Sequence, residues 1–271
     1  MKIKRLFSTL LFLCISLFAN EKLVFGVNPY KNITELQMIH AELIAYLEKE
    51  LDKEIVFVVS KDYHHLLTLI EQGHIDIASL SPKLFATSRQ KGMQAHYLAT
   101  VKINDDQGDA RSTYHGLIVT HQESSIKTMT DLKDRSFGFT DTQSTSGYFY
   151  PRLLMNQNGI DPQKDLGKVY LLKKHSKIIE AILEKSIDAG ALYDGTYLTL
   201  SKEKQEKIRI LATSEEIPYD AIIASKQLDK ALVAKIHDLL LTFHSTQSKT
   251  SSIAGFEEKP LLLYDQLNHL E

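Results

Sequence analysis

The chain has 271 residues, 43% hydrophobic and 24% charged, with 32 Lys+Arg against 34 Asp+Glu and a net charge of −2. That length suffices for two lobes of ordinary size, and the absence of a basic tract argues against a nucleic-acid partner. A single cysteine rules out a disulfide framework within the chain.

The chain opens with a secretory pattern. Lys2, Lys4 and Arg5 precede the apolar residues 6–18, and Ala19 offers a small residue before a cleavage site. The apolar stretch is short of the roughly 20 residues needed to span a bilayer, and no later segment is apolar enough. Cys14 lies inside this leader, behind a Leu13 too large for a usual lipoprotein signal. Cleavage near Ala19 is therefore expected to leave an exported, cysteine-free protein with 29 bases, 34 acids and a net charge of −5. In a Gram-negative host the destination is the periplasm.

Strand and helix patterns then alternate along the chain. A strand is expected over 23–27, followed by an amphipathic helix with Leu36, Ile39, Leu43, Leu47 and Leu51 on one face. Next come strand 54–59, helix 63–72, strand 75–80, helix 82–91 and strand 95–101. After a polar loop, 104–112, strand 114–120 opens a second alternating set with strands at 136–139, 169–172, 189–192 and 208–212. Strand 220–225, a long helix over 226–244 and a last helical pattern over 259–269 close the chain. Such alternation implies an α/β fold with open, mostly parallel sheets and a ligand crevice at the strand C-termini.

Residues 141–148, Asp-Thr-Gln-Ser-Thr-Ser-Gly-Tyr, are the most informative segment. Three hydroxyls, Ser144, Thr145 and Ser146, and Gly147 sit where a strand gives way to a helix. Helix N-termini favour anions through unpaired N–H groups and a partial positive charge. Gly147 would let a ligand approach the backbone closely, and Pro151 falls near the end of the first turn, where it can kink the helix. Ordinary N-capping is the competing reading. There is no G-x-S-x-G elbow, P-loop, G-x-G-x-x-G or H-E-x-x-H motif. The 11 histidines are scattered, and the adjacent pair His64-His65 diverges by about 100° on a helix, so no metal is expected.

Ser144-Thr145-Ser146-Gly147, followed by an aromatic and Pro151-Arg152-Leu153-Leu154, resembles the signature of phosphonate/phosphite-type solute-binding proteins of ABC importers. Lys61-Asp62-Tyr63, the strand Asp76-Ile77-Ala78, the crossover opening at Tyr114, the Asp131-Leu132-Lys133 segment, His175 and the return crossover Ile217-Pro218-Tyr219-Asp220 follow in the family's order. Asp134 stands where a glycine is common.

The resemblance implies a two-lobed type II periplasmic binding protein, closing by a hinge on a ligand between the lobes. Lobe 1 would comprise residues 22–112 plus 221–271 and lobe 2 residues 113–220, with crossovers near 113–119 and 217–225. It further implies that Tyr63, Tyr114, Ser144, Thr145, Ser146 and His175 hold the phosphonate oxygens. Asp194 and Asp220 match places where aminophosphonate binders carry carboxylates for the ligand's ammonium. A carboxylate beside a bare phosphate would repel it, so two near an anion site suit a zwitterion; the alternative is that one or both cap a helix, as Asp194 before Gly195-Thr196 could, or pair with a lysine.

The expected protein is a monomeric, non-enzymatic receptor without cofactor, which captures a small phosphonate, in particular an aminoalkylphosphonate, for a membrane permease. The alternatives are a phosphite, phosphate or other anion receptor, or a ligand sensor feeding a membrane histidine kinase.

Overall fold

The computed structural model describes residues 22–105, 107–246 and 252–269; the expected leader and Cys14 lie outside the described residues. Strand β1 (Leu23–Val27) leads into helix α1 (Ile33–Leu51), which starts at a capping box. Asn32 Oδ1 accepts the Glu35 N–H at 2.9 Å, and Glu35 Oε2 accepts the Asn32 N–H at 3.2 Å. The helix buries Leu36, His40, Leu43, Leu47 and Leu51, so His40 completes the core stripe and Ile39 is only partly buried. Then follow β2 (Ile55–Val59), α2 (Tyr63–Glu71), β3 (Ile77–Leu80), α3 (Pro82–Gln90) and β4 (Ala95–Asn104). The polar stretch 104–112 holds a short strand, β5 (Ala110–Arg111), that folds back onto β4.

The expected strand 114–120 is two strands, β6 (Thr113–Tyr114) and β7 (Gly116–His121), interrupted at His115. The His115 N–H leaves the ladder to reach Asp194 Oδ2 at 3.0 Å. The second lobe continues through β8 (Phe137–Phe139), α4 (Tyr150–Gln157), β9 (Val169–Leu171), α5 (His175–Leu183), β10 (Ala189–Tyr193), α6 (Asp194–Leu198), α7 (Lys202–Glu206) and β11 (Ile208–Thr213). The chain returns through β12 (Ile217–Pro218) into β13 (Ala221–Ser225), α8 (Lys230–Thr242), β14 (Ile253–Glu257) and α9 (Leu262–Asp265). Helix α8 starts at Lys230 rather than 226 because Asp229 caps it, its Oδ1 accepting the Ala231 and Leu232 N–H groups. β14 has no counterpart among the expected strands; it is short, holds Gly255 and pairs with β4.

Each lobe has its own sheet, in the orders β14-β4-β13-β3-β1-β2 and β11-β7-β10-β8-β9. Both are mixed rather than mostly parallel. β1 pairs in parallel with β2 and β3, and β8 with β9 and β10. The chain crosses between lobes as extended strands, however, and these insert antiparallel: β7 beside β10, β13 beside β3 and β4. The two crossovers touch at β6–β12, where Tyr114 faces Ile217. Apolar clusters fill both faces of each sheet, with α1 and α8 covering one side of the first.

One small device recurs in both lobes. Asp76 Oδ2 accepts the Val24 N–H at 2.8 Å, and Asp188 Oδ2 accepts the Ser136 N–H at 2.9 Å. In each case a carboxylate just before one strand takes up a free amide at the start of its parallel neighbour, helping to set the register. The Ser136 hydroxyl adds a second bond to Asp188 at 2.6 Å. Asp188→Ala is therefore expected to lower stability by about 1–2 kcal/mol in urea titrations while leaving ligand affinity unchanged.

Candidate functional site

The strand C-termini of both lobes converge on one cavity of about 70 Å³, a space for a compact ligand of a few heavy atoms. Lobe 2 supplies Ser144, Thr145 and Ser146 after β8, His175 at the head of α5 and Tyr193 at the end of β10. From lobe 1 come Tyr63 at the head of α2 and Asn28, Tyr30, Ser79 and Ser81, which follow or end β1 and β3. The crossovers add Tyr114, Tyr219 and Asp220. Among the described residues that line it there is no lysine or arginine.

The hydroxyl-rich turn is built in an unusual way. Residues Thr145–Phe149 form a single π-helical turn, in which the Phe149 N–H reaches Ser144 O at 3.0 Å. Pro151 has no N–H to give to the carbonyl of Gly147, and that carbonyl instead accepts the Thr140 N–H at 3.0 Å. The wide turn thus absorbs the proline without leaving the carbonyl unpaired. Ser144 is the N-cap, its Oγ accepting the Gly147 N–H at 3.2 Å. Thr145 Oγ1 accepts the Lys83 N–H from α3 at 2.9 Å, a bond between the lobes. Ser81 Oγ reaches Gln143 O at 3.4 Å alongside it. As first-turn groups, the N–H groups of Thr145 and Ser146 have no acceptor within the helix.

Gly147 has a different reason from the expected one. A Cβ there would lie 1.9 Å from Thr140 Oγ1, so it is close packing against β8's continuation that excludes a side chain. Gly147→Ala should cost roughly 1–3 kcal/mol of stability. A thermal melt checks this, the expected outcome being a loss of stability even without ligand.

Tyr63 and Tyr114 are buried, at 2% and 7% exposure, with hydroxyls near the same turn. Burial pushes both phenols well up; Ser144 lies within reach of the Tyr63 hydroxyl, and Ser146 and Thr145 of the Tyr114 hydroxyl. Both therefore stay neutral donors. His175 is pushed down to about 3 by burial and, secondarily, by the Lys31 charge. Its Nδ1 accepts the Tyr193 N–H at 3.2 Å, which leaves the proton of the neutral ring on Nε2. The ring stands edge-on to Tyr193 at 5.0 Å.

Asp220 lines the cavity and is partly buried; burial pushes its carboxyl up to about 6, with the Ser79 hydroxyl, 3.0 Å from Oδ2, opposing. Asp194 does not line the cavity. Its Oδ2 accepts the His115 N–H at 3.0 Å and its Oδ1 the Gly195 N–H at 2.8 Å, so both oxygens tie crossover backbone to the start of α6. Seven of the eight residues singled out from sequence thus surround one cavity, and Asp194 stands apart.

Sequence reasoning missed Asn28, Tyr30, Ser79, Ser81, Tyr193 and Tyr219. Tyr193 and Tyr219 each immediately precede a chosen aspartate, and strand alternation could have separated a cavity-facing residue from its neighbour. The four tyrosines Tyr30, Tyr193, Tyr114 and Tyr219 form a continuous aromatic wall, with centroid separations of 6.2, 6.1 and 4.8 Å along that order. Among the described residues no group of three side chains could hold a metal ion, and no helix is long and apolar enough to cross a membrane.

A cavity rich in neutral donors at the strand ends of two lobes agrees with what comparison shows. The pattern of a family described as the periplasmic substrate-binding protein of phosphonate ABC transporters matches residues 25–260. The chain belongs to that family. The phosphate-import protein PhnD of Mycolicibacterium smegmatis is 22% identical over 250 residues, covering 88% of this chain and 75% of its own. The phosphonates-binding periplasmic protein of Escherichia coli is 23% identical over 236 residues, 83% of this chain and 67% of its own. The structure of PhnD1 from Prochlorococcus marinus in complex with methylphosphonate superposes with a TM-score of 0.78, at 18% identity over 92% of this chain and 96% of that one. The family is one of periplasmic substrate-binding proteins, and the two-lobed fold is shared.

Asp220 and His175 act oppositely on stability. Asp220 keeps its proton to about pH 6 in the folded chain and only to about 3.8 in the unfolded one, so its contribution is complete below pH 4 and lost as pH rises through 6. Ionising it where it is buried costs roughly 3 kcal/mol. His175, held down to about 3, works the other way, with stability lost as pH falls below its ordinary 6.5. Asp220→Asn should therefore stabilise the ligand-free protein at pH 8 and have little effect at pH 4, as melting temperatures across that range would register.

Proposed function

We propose that this chain captures a small phosphonate, in particular an aminoalkylphosphonate, in the interlobe cavity and delivers it to the membrane permease of an ABC importer. The carrying observation is the cavity's lining: the hydroxyls of Ser144, Thr145 and Ser146, the buried phenols of Tyr63 and Tyr114 and the neutral His175 surround one space with a single carboxylate, Asp220, and no lysine or arginine among the described lining residues. The phosphonate oxygens would take the N–H groups and hydroxyls of Ser144, Thr145 and Ser146, the phenols of Tyr63 and Tyr114, and His175 Nε2–H. Charge-assisted bonds of this kind are the strong ones. Asp220 would hold the ammonium, against the aromatic wall.

The lobes, residues 22–112 with 221–271 and residues 113–220, would close as bodies about the paired crossovers. The protein acts as an exported monomer without cofactor or catalysis. The cavity's small volume favours a compact ligand.

A second reading has an observation behind it. With Asp194 committed to backbone amides, one carboxylate rather than two remains for an ammonium, which suits a ligand with an uncharged tail, such as methylphosphonate, or phosphate itself. Calorimetry of the unmodified protein and Asp220→Asn against 2-aminoethylphosphonate, ethylphosphonate, methylphosphonate, phosphite, phosphate and sulfate separates the two. If Asp220 grips an ammonium, the substitution should weaken the aminophosphonate by about 2 kcal/mol, roughly thirtyfold, and leave or improve methylphosphonate. Equal losses for both, or tighter phosphate than aminophosphonate binding before substitution, would favour the second reading. No binding of any phosphorus oxyanion would overturn both.

A further inference from the structure

Two side chains that line the cavity each carry an atom fixed as a hydrogen-bond acceptor. Asn28, directly after β1, is 1% exposed, and its Nδ2–H donates to Ser79 O at 3.4 Å. A carbonyl only accepts, so this bond fixes which end of the amide is nitrogen. Asn28 Oδ1 is then left without a hydrogen-bond partner among the described residues, a costly state for a buried carbonyl oxygen.

His40 is the second. It borders the same cavity from α1, at 4% exposure, its ring 5.9 Å from that of Phe25 and 5.0 Å from that of Phe57. Nδ1–H donates to Leu36 O at 2.8 Å, again a partner that can only accept. Burial pushes the ring down to about 4, with the Leu36 bond opposing, so at neutral pH it is uncharged and Nε2 carries a lone pair instead of a proton. Nε2 has no hydrogen-bond partner among the described residues. Ser79 ties Asn28 to Asp220, its carbonyl holding the Asn28 amide and its hydroxyl donating to Asp220 Oδ2 at 3.0 Å. It sits on β3 opposite Val27 of β1 and Ile222 of β13, so three adjacent strands bring Asn28 and Asp220 to one end of the sheet.

Hydroxyls and phenols around the cavity can turn to donate or to accept, but Asn28 Oδ1, His40 Nε2 and an ionised Asp220 can only accept. We propose, on the reading of the cavity as a phosphonate site, that Asn28 Oδ1 and His40 Nε2 are ligand contacts which, with the Asp220 carboxylate, receive the three N–H groups of a primary ammonium on the ligand's tail. They supply what the commitment of Asp194 to backbone amides removes, a second and a third acceptor. Both are neutral, so they satisfy N–H donors without placing more negative charge near the phosphonate oxygens. A space of about 70 Å³ holds few waters beside a ligand, and each N–H left without an acceptor would weaken binding.

The test is calorimetry of the unmodified protein, Asn28→Leu and His40→Phe against 2-aminoethylphosphonate and ethylphosphonate, with a thermal melt of each variant to confirm folding. Each substitution should lower the preference for the aminophosphonate over ethylphosphonate about tenfold, the scale of one hydrogen bond to a charged donor. Equal losses for the two ligands would make both residues structural and overturn the ammonium contacts, as would an unchanged preference. A second measurement needs no variant. The N-trimethyl derivative of 2-aminoethylphosphonate keeps the positive charge but has no N–H to give, and it should bind the unmodified protein more weakly than the parent by on the order of tenfold or more. Binding as tight as the parent's would overturn the acceptor role even if neither variant folded. Ethylphosphonate binding at least as tight as 2-aminoethylphosphonate to the unmodified protein would do the same and leave the phosphonate cavity standing. Failure of the unmodified protein to bind any phosphorus oxyanion would remove the cavity reading and the ammonium contacts together.

Discussion

If this cavity holds an oxyanion, as proposed, with no lysine or arginine lining it, the compensation must come from oriented neutral dipoles, and those dipoles have to be held rigidly. The turn between β8 and α4 meets that requirement. Its π-helical widening arises because Pro151 cannot donate to Gly147 O and the Thr140 N–H can. The same packing of Thr140 on Gly147 leaves no room for a side chain. With Ser144 fixed as the cap, the adjacent N–H groups and hydroxyls have little freedom left. Preorganised donors lose little entropy when the ligand arrives, and that is where flexible lysines would be weaker.

Two buried titratable groups show the complementary constraint. Burial drives His175 and Asp220 towards their neutral forms, one down to about 3 and the other up to about 6. His175 is thereby useful as a donor at neutral pH, since Nδ1 is occupied by the Tyr193 N–H. Asp220 is different, because at pH 7 it is ionised mainly at the expense of stability. Under the proposed reading, such a carboxylate, with one hydroxyl for a partner, would pair with a ligand group that carries positive charge or several donors.

Much of this was legible in the sequence, for identifiable reasons. The alternation of strand and helix and the order of the motif residues located both lobes and most of the cavity, because strand ends point to one crevice in such folds. Sheet direction was less legible, since the crossover strands insert antiparallel and nothing in an apolar run states its partner's direction. β14 escaped notice because a short strand holding a glycine lacks a period that distinguishes it from a loop. Asp194 illustrates the local limit. A carboxylate one residue beyond a strand end can enter the cavity or turn back to cap backbone, and only the third dimension shows that His115 and Gly195 claim it.

The bond from Lys83 N–H to Thr145 Oγ1 joins recognition to closure. Thr145 belongs to the donor wall of lobe 2, yet its hydroxyl oxygen already accepts an amide from the first turn of α3 in lobe 1. Pro82 has no N–H and Ser81 makes no side-chain cap, so Thr145 supplies an acceptor to an amide in the first turn of α3. Under the proposed reading, an oxyanion at this turn would sit beside a bond that already joins the two lobes, so occupancy would favour the arrangement of the lobes in which that bond forms.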